Sequence, residues 1–244
     1  MAMPDSIYTV NLPAGYPAYL GYVDGIYPTM HGYISSDGVH QPALPALFPA
    51  AYLIGLTVTG STLDADGIDV EPGNPSASAG VEWARRKLAA APDSRPVIYA
   101  STLGTPGYGM HDVLAQMAAH IVPRAKVRLL SAHYGAGEHI CGPHTCNLIA
   151  EPMDGTQYTD QAPGNHGTLI DMSVVLDGFF VAPAPPDLAE DTLKIPGFQG
   201  TWLAYTMIGR PDGSTVIVGQ GTSGDAYYAI RDKGATDSHA PVKI

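Results

Sequence analysis

The chain has 244 residues, 45% of them hydrophobic, enough to bury a full core and to exclude a disordered protein. With 28 glycines and 22 prolines it reads as loop-rich with short elements, which argues against a helical bundle. Twelve basic against 23 acidic residues give a formal charge of -11, and with no basic cluster beyond Arg85-Arg86-Lys87 nucleic-acid binding is excluded.

In chain order, the start "MAMPDSIYTVNLPAGYP" has no basic segment followed by an apolar run, so no secretory signal is expected. No stretch approaches the ~20 apolar residues of a membrane span. A chain made in the cytoplasm is expected, delivered to any external substrate by another route. "AYLGYV" (18–23) is the first expected strand, and 43–51 a short helix or turn. "YLIGLTV" (52–58) and "GIDVE" (67–71) read as strands. Residues 76–91 read as a helix capped by Ser76, with Val81, Trp83, Ala84 and Leu88 inward. "PVIYAS" (96–101) is a strand, and 110–121 a helix that turns Val113, Leu114, Met117 and Ile121 inward. "VRLLSAHY" (127–134), "DGTQYTD" (154–160) and "LIDMSVV" (169–175) complete the strands. Strands alternating with too few helices for a ring of eight predict an α/β, TIM-like (β/α) barrel with reduced helix number over residues 1–180. "VAPAPPDLAED" (181–191) reads as a proline-rich linker. Beyond it, 192–244 forms a small β-rich extension, an antiparallel meander of strands at 200–209, 214–219 and 225–232 with a turn at "RPDG".

Asp69 and Glu71, in "ADGIDVEPGNP" (65–75), are the pair most in need of explanation. On a strand, residues i and i+2 share a face with Cβ atoms roughly 6–7 Å apart, and "EPGNP" ends the strand just after Glu71. Parallel barrels carry their chemistry at the C-terminal strand ends. Two carboxyls there suit glycosidic cleavage, one protonating the leaving oxygen and the other supporting the sugar cation. Asp24 and Asp171 are two more acids at apolar strands, and Tyr22, Tyr99, Tyr134 and Tyr158 offer aromatic faces beside candidate strands.

Asp24 in "GYVDG", "DVE" (69–71), "PVIYAS" (96–101), "LLSAHYG" (129–135), "GTQYTD" (155–160) and "IDMSVV" (170–175) resemble, in order, the strands of glycoside hydrolase family 25 lysozymes. The likeness spans roughly residues 15–180 and is nearest to an actinobacterial and actinobacteriophage branch. The family cuts the muramic-acid to glucosamine linkage of peptidoglycan. The resemblance implies Glu71 as general acid and Asp69 as the group that stabilises the oxocarbenium-like state or orients the N-acetyl group. By the same resemblance Asp24 and Asp171 become flanking acids that tune charge and hold the sugar. Tyr22, Tyr99, Tyr134, Gln157 and Tyr158, on or beside the candidate strands, are the expected substrate-binding residues. The first strand reads "GYVDGIYPT" where the family has "GIDVSxxQG", and Thr156 stands where a tryptophan precedes "QYT".

"EHICGPHTC" (138–146) packs Glu138, His139, Cys141, His144 and Cys146 together. Its C-x4-C spacing matches no strong zinc pattern. A Cys141–Cys146 disulfide is the first expectation for a protein working outside the cell, then free thiols, then zinc; no metal and no cofactor are assigned. The resembling branch carries similar cysteine loops, which favours a structural staple. His133 reads either as a mouth residue or as a polar strand end. "GTPGYG" (104–109) lacks the Lys-Ser/Thr of a phosphate loop, and "STLDADG" (61–67) lacks the remainder of a calcium loop. Two functions compete: a muramidase acting on peptidoglycan glycan strands, or a phage minor tail protein whose barrel binds glycan without cutting and whose residues 192–244 meet other tail proteins; a third, weaker reading is a cytoplasmic carbohydrate-binding or carbohydrate-processing enzyme.

Overall fold

The computed structural model describes residues 1–146 and 151–180, together with the backbone of strands at 202–209, 215–221, 226–231 and 242–243. The chain divides into two compact units, Met1–Pro186 and Asp187–Ile244.

Among the described residues of the first unit, ten strands are formed in chain order: β1 (Ala2–Asp5), β2 (Ala18–Tyr22), β3 (Tyr33–Ile34), β4 (His40–Gln41), β5 (Tyr52–Thr57), β6 (Gly67–Val70), β7 (Val97–Ser101), β8 (Arg128–Ala132), β9 (Gly155–Pro163) and β10 (Leu169–Val175). Eight close into a barrel in the order β1-β10-β9-β8-β7-β6-β5-β2, while β3 and β4 form a separate hairpin. The described helices are α1 (Leu44–Leu47), α2 (Ala77–Ala90) and α3 (Met110–Ala119). This is the expected barrel with reduced helix number.

Two features depart from the sequence expectation. The barrel begins at β1, ahead of residues 18–23, and β1 is parallel to β2 but antiparallel to β10. The last strand is also antiparallel to β9. Only residues 164–168 separate β9 from β10, too few for the crossover a parallel pair requires. Reversal has a consequence for chemistry. It brings the N-terminal end of β10, with Asp171, to the face where the other strands end, and Asp171 pairs in register with Asp5.

Strand alternation sorts the side chains into an inner and an outer core. Met3, Leu20, Leu56, Val97, Tyr99, Leu130 and Val175 fill the interior. Space there is tight: a Cβ on Gly155 would come 2.7 Å from Val175 Cγ1 and 2.9 Å from Leu130 Cδ1. Phe179 and Phe180, in the turn after β10, join this inner cluster. Arg128 fixes that turn by donating to Phe179 O at 3.0 Å, with its guanidinium 5.3 Å from the Phe179 ring centroid.

Outside, Ile68, Val70, Ile98, Ala100 and Leu129 pack against Val81, Trp83 and Ala84 of α2 and Met110, Val113 and Met117 of α3. The Ser76 hydroxyl accepts from Ala79 N at the start of α2. Trp83 is fully buried, and its indole N–H donates to Thr62 O at 2.7 Å. Helix α3 ends at Ala119, before the expected stripe reaches Ile121, which takes a left-handed φ of 54° and is 87% exposed ahead of Pro123.

In the second unit, β11 (Trp202–Gly209), β12 (Thr215–Gly221), β13 (Ala226–Arg231) and β14 (Val242–Lys243) form a sequential antiparallel sheet, a meander with one more short strand than expected. The 181–191 linker and the "RPDG" turn lie outside the described residues.

Candidate active site

Strand direction and alternation deliver four carboxyls to one end of the barrel. Asp5 ends β1, Asp69 is the third residue of β6, Glu71 follows that strand directly, and Asp171 lies near the start of the reversed β10. Asp5 and Asp69 are only 2% and 4% exposed, whereas Glu71 and Asp171 are half-buried nearer the rim.

The stretch "EPGN" explains the placement of the central pair. Pro72 and Gly73, the latter with φ of 101°, make a tight turn closed by Asn74 N donating to Glu71 O at 2.9 Å. That turn brings the Asn74 amide back to donate to Asp69 Oδ2 at 3.1 Å. Gln157 organises the opposite side. The hydroxyls of Tyr99 and Tyr134 both donate to its Oε1 at 2.6 Å, which directs Nε2 toward Asp5 Oδ2 at 3.5 Å. Tyr22 donates to the same Asp5 oxygen at 3.3 Å. The other oxygens of Asp5 and Asp69 are buried with no hydrogen-bond partner among the described residues.

Burial and mutual repulsion make these carboxyls hard to ionise. Desolvation pushes Asp69 up to about 8, the Glu71 charge adds to this, and the Asn74 amide opposes it. Burial also raises Glu71, against the pull of the nearby Tyr99 hydroxyl. Asp5 rises well above the ordinary carboxylate range through burial, then through the charge of Asp171. Asp171 is pushed to about 6 by burial, with Asp160 and Glu71 adding to it. Groups this strongly coupled titrate together, so the cluster retains protons near neutral pH.

A groove of about 210 Å³ opens beside the cluster, lined by Tyr22, Asp69 and Asn74 and, toward solvent, by Ile7, Ile26 and Tyr27. Asp24 also lines it, but its carboxylate is occupied. It accepts from Thr57 Oγ1 and Thr59 Oγ1 at 2.6 Å and from Val58 N at 2.8 Å. Burial raises its pKa, yet these hydrogen bonds hold it below the ordinary value. The first-strand acid of the cluster is therefore Asp5, and Asp24 ties the end of β2 to the end of β5. Tyr158 is likewise not brought to the mouth. Gln157 points inward, so its neighbour points outward and packs against the outer cluster of Leu12, Tyr19, Leu44, Ile170 and Met172. Asp69, Glu71, Asp171, Tyr22, Tyr99, Tyr134 and Gln157 do come together. Asp5 and Asn74 are the additions; the Pro-Gly turn was a readable signal for Asn74, whereas "AMPD" carried none for Asp5. Cys141 and Cys146 are joined as a disulfide in the loop after β8, with Cα atoms 5.3 Å apart.

No family model and no curated protein matches the chain. Two solved structures are similar to it. One is a glycosyl hydrolase 25 of Streptococcus pneumoniae, a virulence factor participating in host cell invasion, with 14% identity over 66% of this chain and 75% of the other, at a TM-score of 0.35. The other is the spore cortex lytic enzyme SleM of Clostridium perfringens, with 9% identity over 100% of this chain and 96% of the other, at a TM-score of 0.38. At these levels of identity and superposition neither likeness bears on activity. Among the described residues, no helix is long and apolar enough to cross a membrane.

Proposed function

We propose that the chain is a peptidoglycan-directed glycoside hydrolase of the muramidase type. The observation that carries this reading is the convergence of Asp5, Asp69, Glu71 and Asp171 on one barrel mouth, where burial keeps protons on carboxyls near neutral pH. Glu71 stands at the rim, reaches the glycosidic oxygen and donates its proton as the bond to the anomeric carbon breaks. Asp69, deeper and with Asn74 stabilising its anion, offsets the positive charge that develops on the sugar, directly or by orienting an N-acetyl group. A water molecule then completes hydrolysis and returns a proton to the cluster. The Tyr99–Gln157–Tyr134 arrangement holds the floor rigid while substrate enters.

The linkage cut is the muramic-acid to glucosamine bond, and the setting, a phage-encoded lytic or virion protein, follows from the sequence resemblance over residues 15–180. Residues 192–244 serve as the assembly surface in the virion case. Digestion of purified actinobacterial wall followed by reduction of the new sugar ends tests the linkage. Reduced muramic acid is the expected product; reduced glucosamine, or no new ends, overturns it.

A further inference from the structure

Away from the carboxyls, four metal-ligating side chains converge on one point. The set His133, His139, Cys141 and Cys146 places one ligand atom each within 4.8 Å of all the others. We propose that this loop, when its cysteines are reduced, holds a zinc ion between His133 Nδ1, His139 Nε2, Cys141 Sγ and Cys146 Sγ.

The distances approach those of a tetrahedral site, two edges lying within its range and three a few tenths of an ångström short of it. An ion bonded at about 2.0–2.1 Å to nitrogen and about 2.3 Å to sulfur separates its ligand atoms by about 3.3–3.8 Å. Here His133 Nδ1 lies 3.0 Å from His139 Nε2 and 3.1 Å from Cys146 Sγ. His139 Nε2 lies 3.2 Å from Cys146 Sγ and 3.4 Å from Cys141 Sγ, and the remaining His133 to Cys141 edge is 3.6 Å. Only the sulfur–sulfur edge is closed, by the disulfide, and it opens on reduction. A disulfide accounts for two of these side chains and gives no reason for two imidazole nitrogens to face the same sulfurs.

The surroundings are those of a ligand set. His139 Nδ1 donates to Gly137 O at 2.7 Å, which leaves Nε2 as the lone-pair nitrogen turned to the sulfurs, the outer support that metal-bound histidines ordinarily have. Cys141 is fully buried, its N–H donates to Thr156 Oγ1 at 2.8 Å, and the Thr102 hydroxyl lies 3.6 Å from its sulfur. His133 N donates to Gln157 O at 2.9 Å, which fixes the strand end from which that imidazole projects. Two thiolates and two neutral imidazoles balance a divalent ion, and this mixed nitrogen–sulfur donor set selects zinc.

The chemistry balances simply. An external dithiol reduces the Cys141–Cys146 disulfide to two thiols and is itself oxidised to a disulfide; zinc then displaces the two thiol protons. The bound ion pins the loop that begins at His133 and so steadies Tyr134, the next residue, whose hydroxyl meets Gln157 at the mouth. The role is structural, and the ion takes no part in the proposed proton transfer.

The full chain, purified under a dithiol reductant, is assayed for zinc and loaded with Co(II). One zinc per chain and the visible bands of tetrahedral Co(II) with thiolate charge transfer are expected. His139→Gln and Cys146→Ser should cut metal content at least tenfold. Cys146→His should keep Co(II) while reducing the thiolate charge-transfer intensity to about half, because one of two sulfur ligands is replaced; this readout survives if the serine variant folds poorly. A reduced chain that binds neither zinc nor Co(II), or a Co(II) spectrum unchanged in both His139→Gln and Cys146→His, overturns the site.

Discussion

Asp69→Asn removes the charge that the barrel mouth tolerates least while keeping shape and the ability to accept from Asn74. Asp69 moves from an ordinary 3.8 to about 8 in the folded chain. A carboxyl whose folded pKa is raised contributes its full stability below the unfolded value, and that stability is lost as pH rises toward the folded value. Each pH unit of that interval is worth about 1.4 kcal/mol, so the whole interval has a ceiling of about 6 kcal/mol. Glu71 supplies part of the shift and stays charged in the variant, so the expected gain at pH 9 is about 2–3 kcal/mol, or roughly 5–10 °C in Tm for a domain of this size. Thermal unfolding followed by circular dichroism from pH 4 to pH 9 is the assay. Wild type should lose stability as pH rises, and Asp69→Asn should lose distinctly less. Parallel curves for the two proteins would refute the buried, proton-retaining carboxyl.

Hydrolysis should follow a bell-shaped pH dependence, rising as the coupled pair loses the proton that leaves Asp69 anionic and falling as the proton that burial holds on Glu71 is lost; a flat profile from pH 5 to pH 9 counts against it. Asn74→Ala deletes the amide that favours the Asp69 anion, so the acidic limb should move upward, and an unmoved limb would separate Asn74 from the chemistry. Asp24→Ala should cost about 1–3 kcal/mol of stability through lost hydrogen bonds to Thr57, Val58 and Thr59, with wall-hydrolysing activity kept within a few-fold in a steady-state assay at a temperature where the variant is folded. Trp83→Ala should cost about 3–5 kcal/mol in denaturant melts, since the indole is fully buried between α2 and the barrel wall.

Much of the barrel was legible because its strands are apolar runs bounded by turn residues. β5, β6, β7, β8 and β10 lie where those runs fall. β1 was not legible: "AMPD" is four residues long, includes a proline, and becomes a strand only because β10 and β2 flank it. That omission left Asp5 out of the candidate acids and put Asp24 in its place; Asp24 lines the groove while its carboxylate accepts from Thr57, Val58 and Thr59. The antiparallel closing strand follows from loop length and was obscured by the alternating pattern elsewhere. Tyr158 illustrates the cost of a one-residue step on a strand, which reverses the face a side chain occupies. The His/Cys set escaped a reading confined to 138–146 because one of its members, His133, projects from the end of a strand, while Glu138 and His144 are exposed and stand outside the set.

Release of reducing muramic-acid ends from actinobacterial wall by wild type and Glu71→Gln, each also measured for wall binding, tests the carboxyl cluster most directly. Wild type should generate new ends, and Glu71→Gln should bind comparably while releasing them at least a hundredfold more slowly. Equal release by the two proteins, or binding by both with no release from either, would contradict a glycan-cutting mouth.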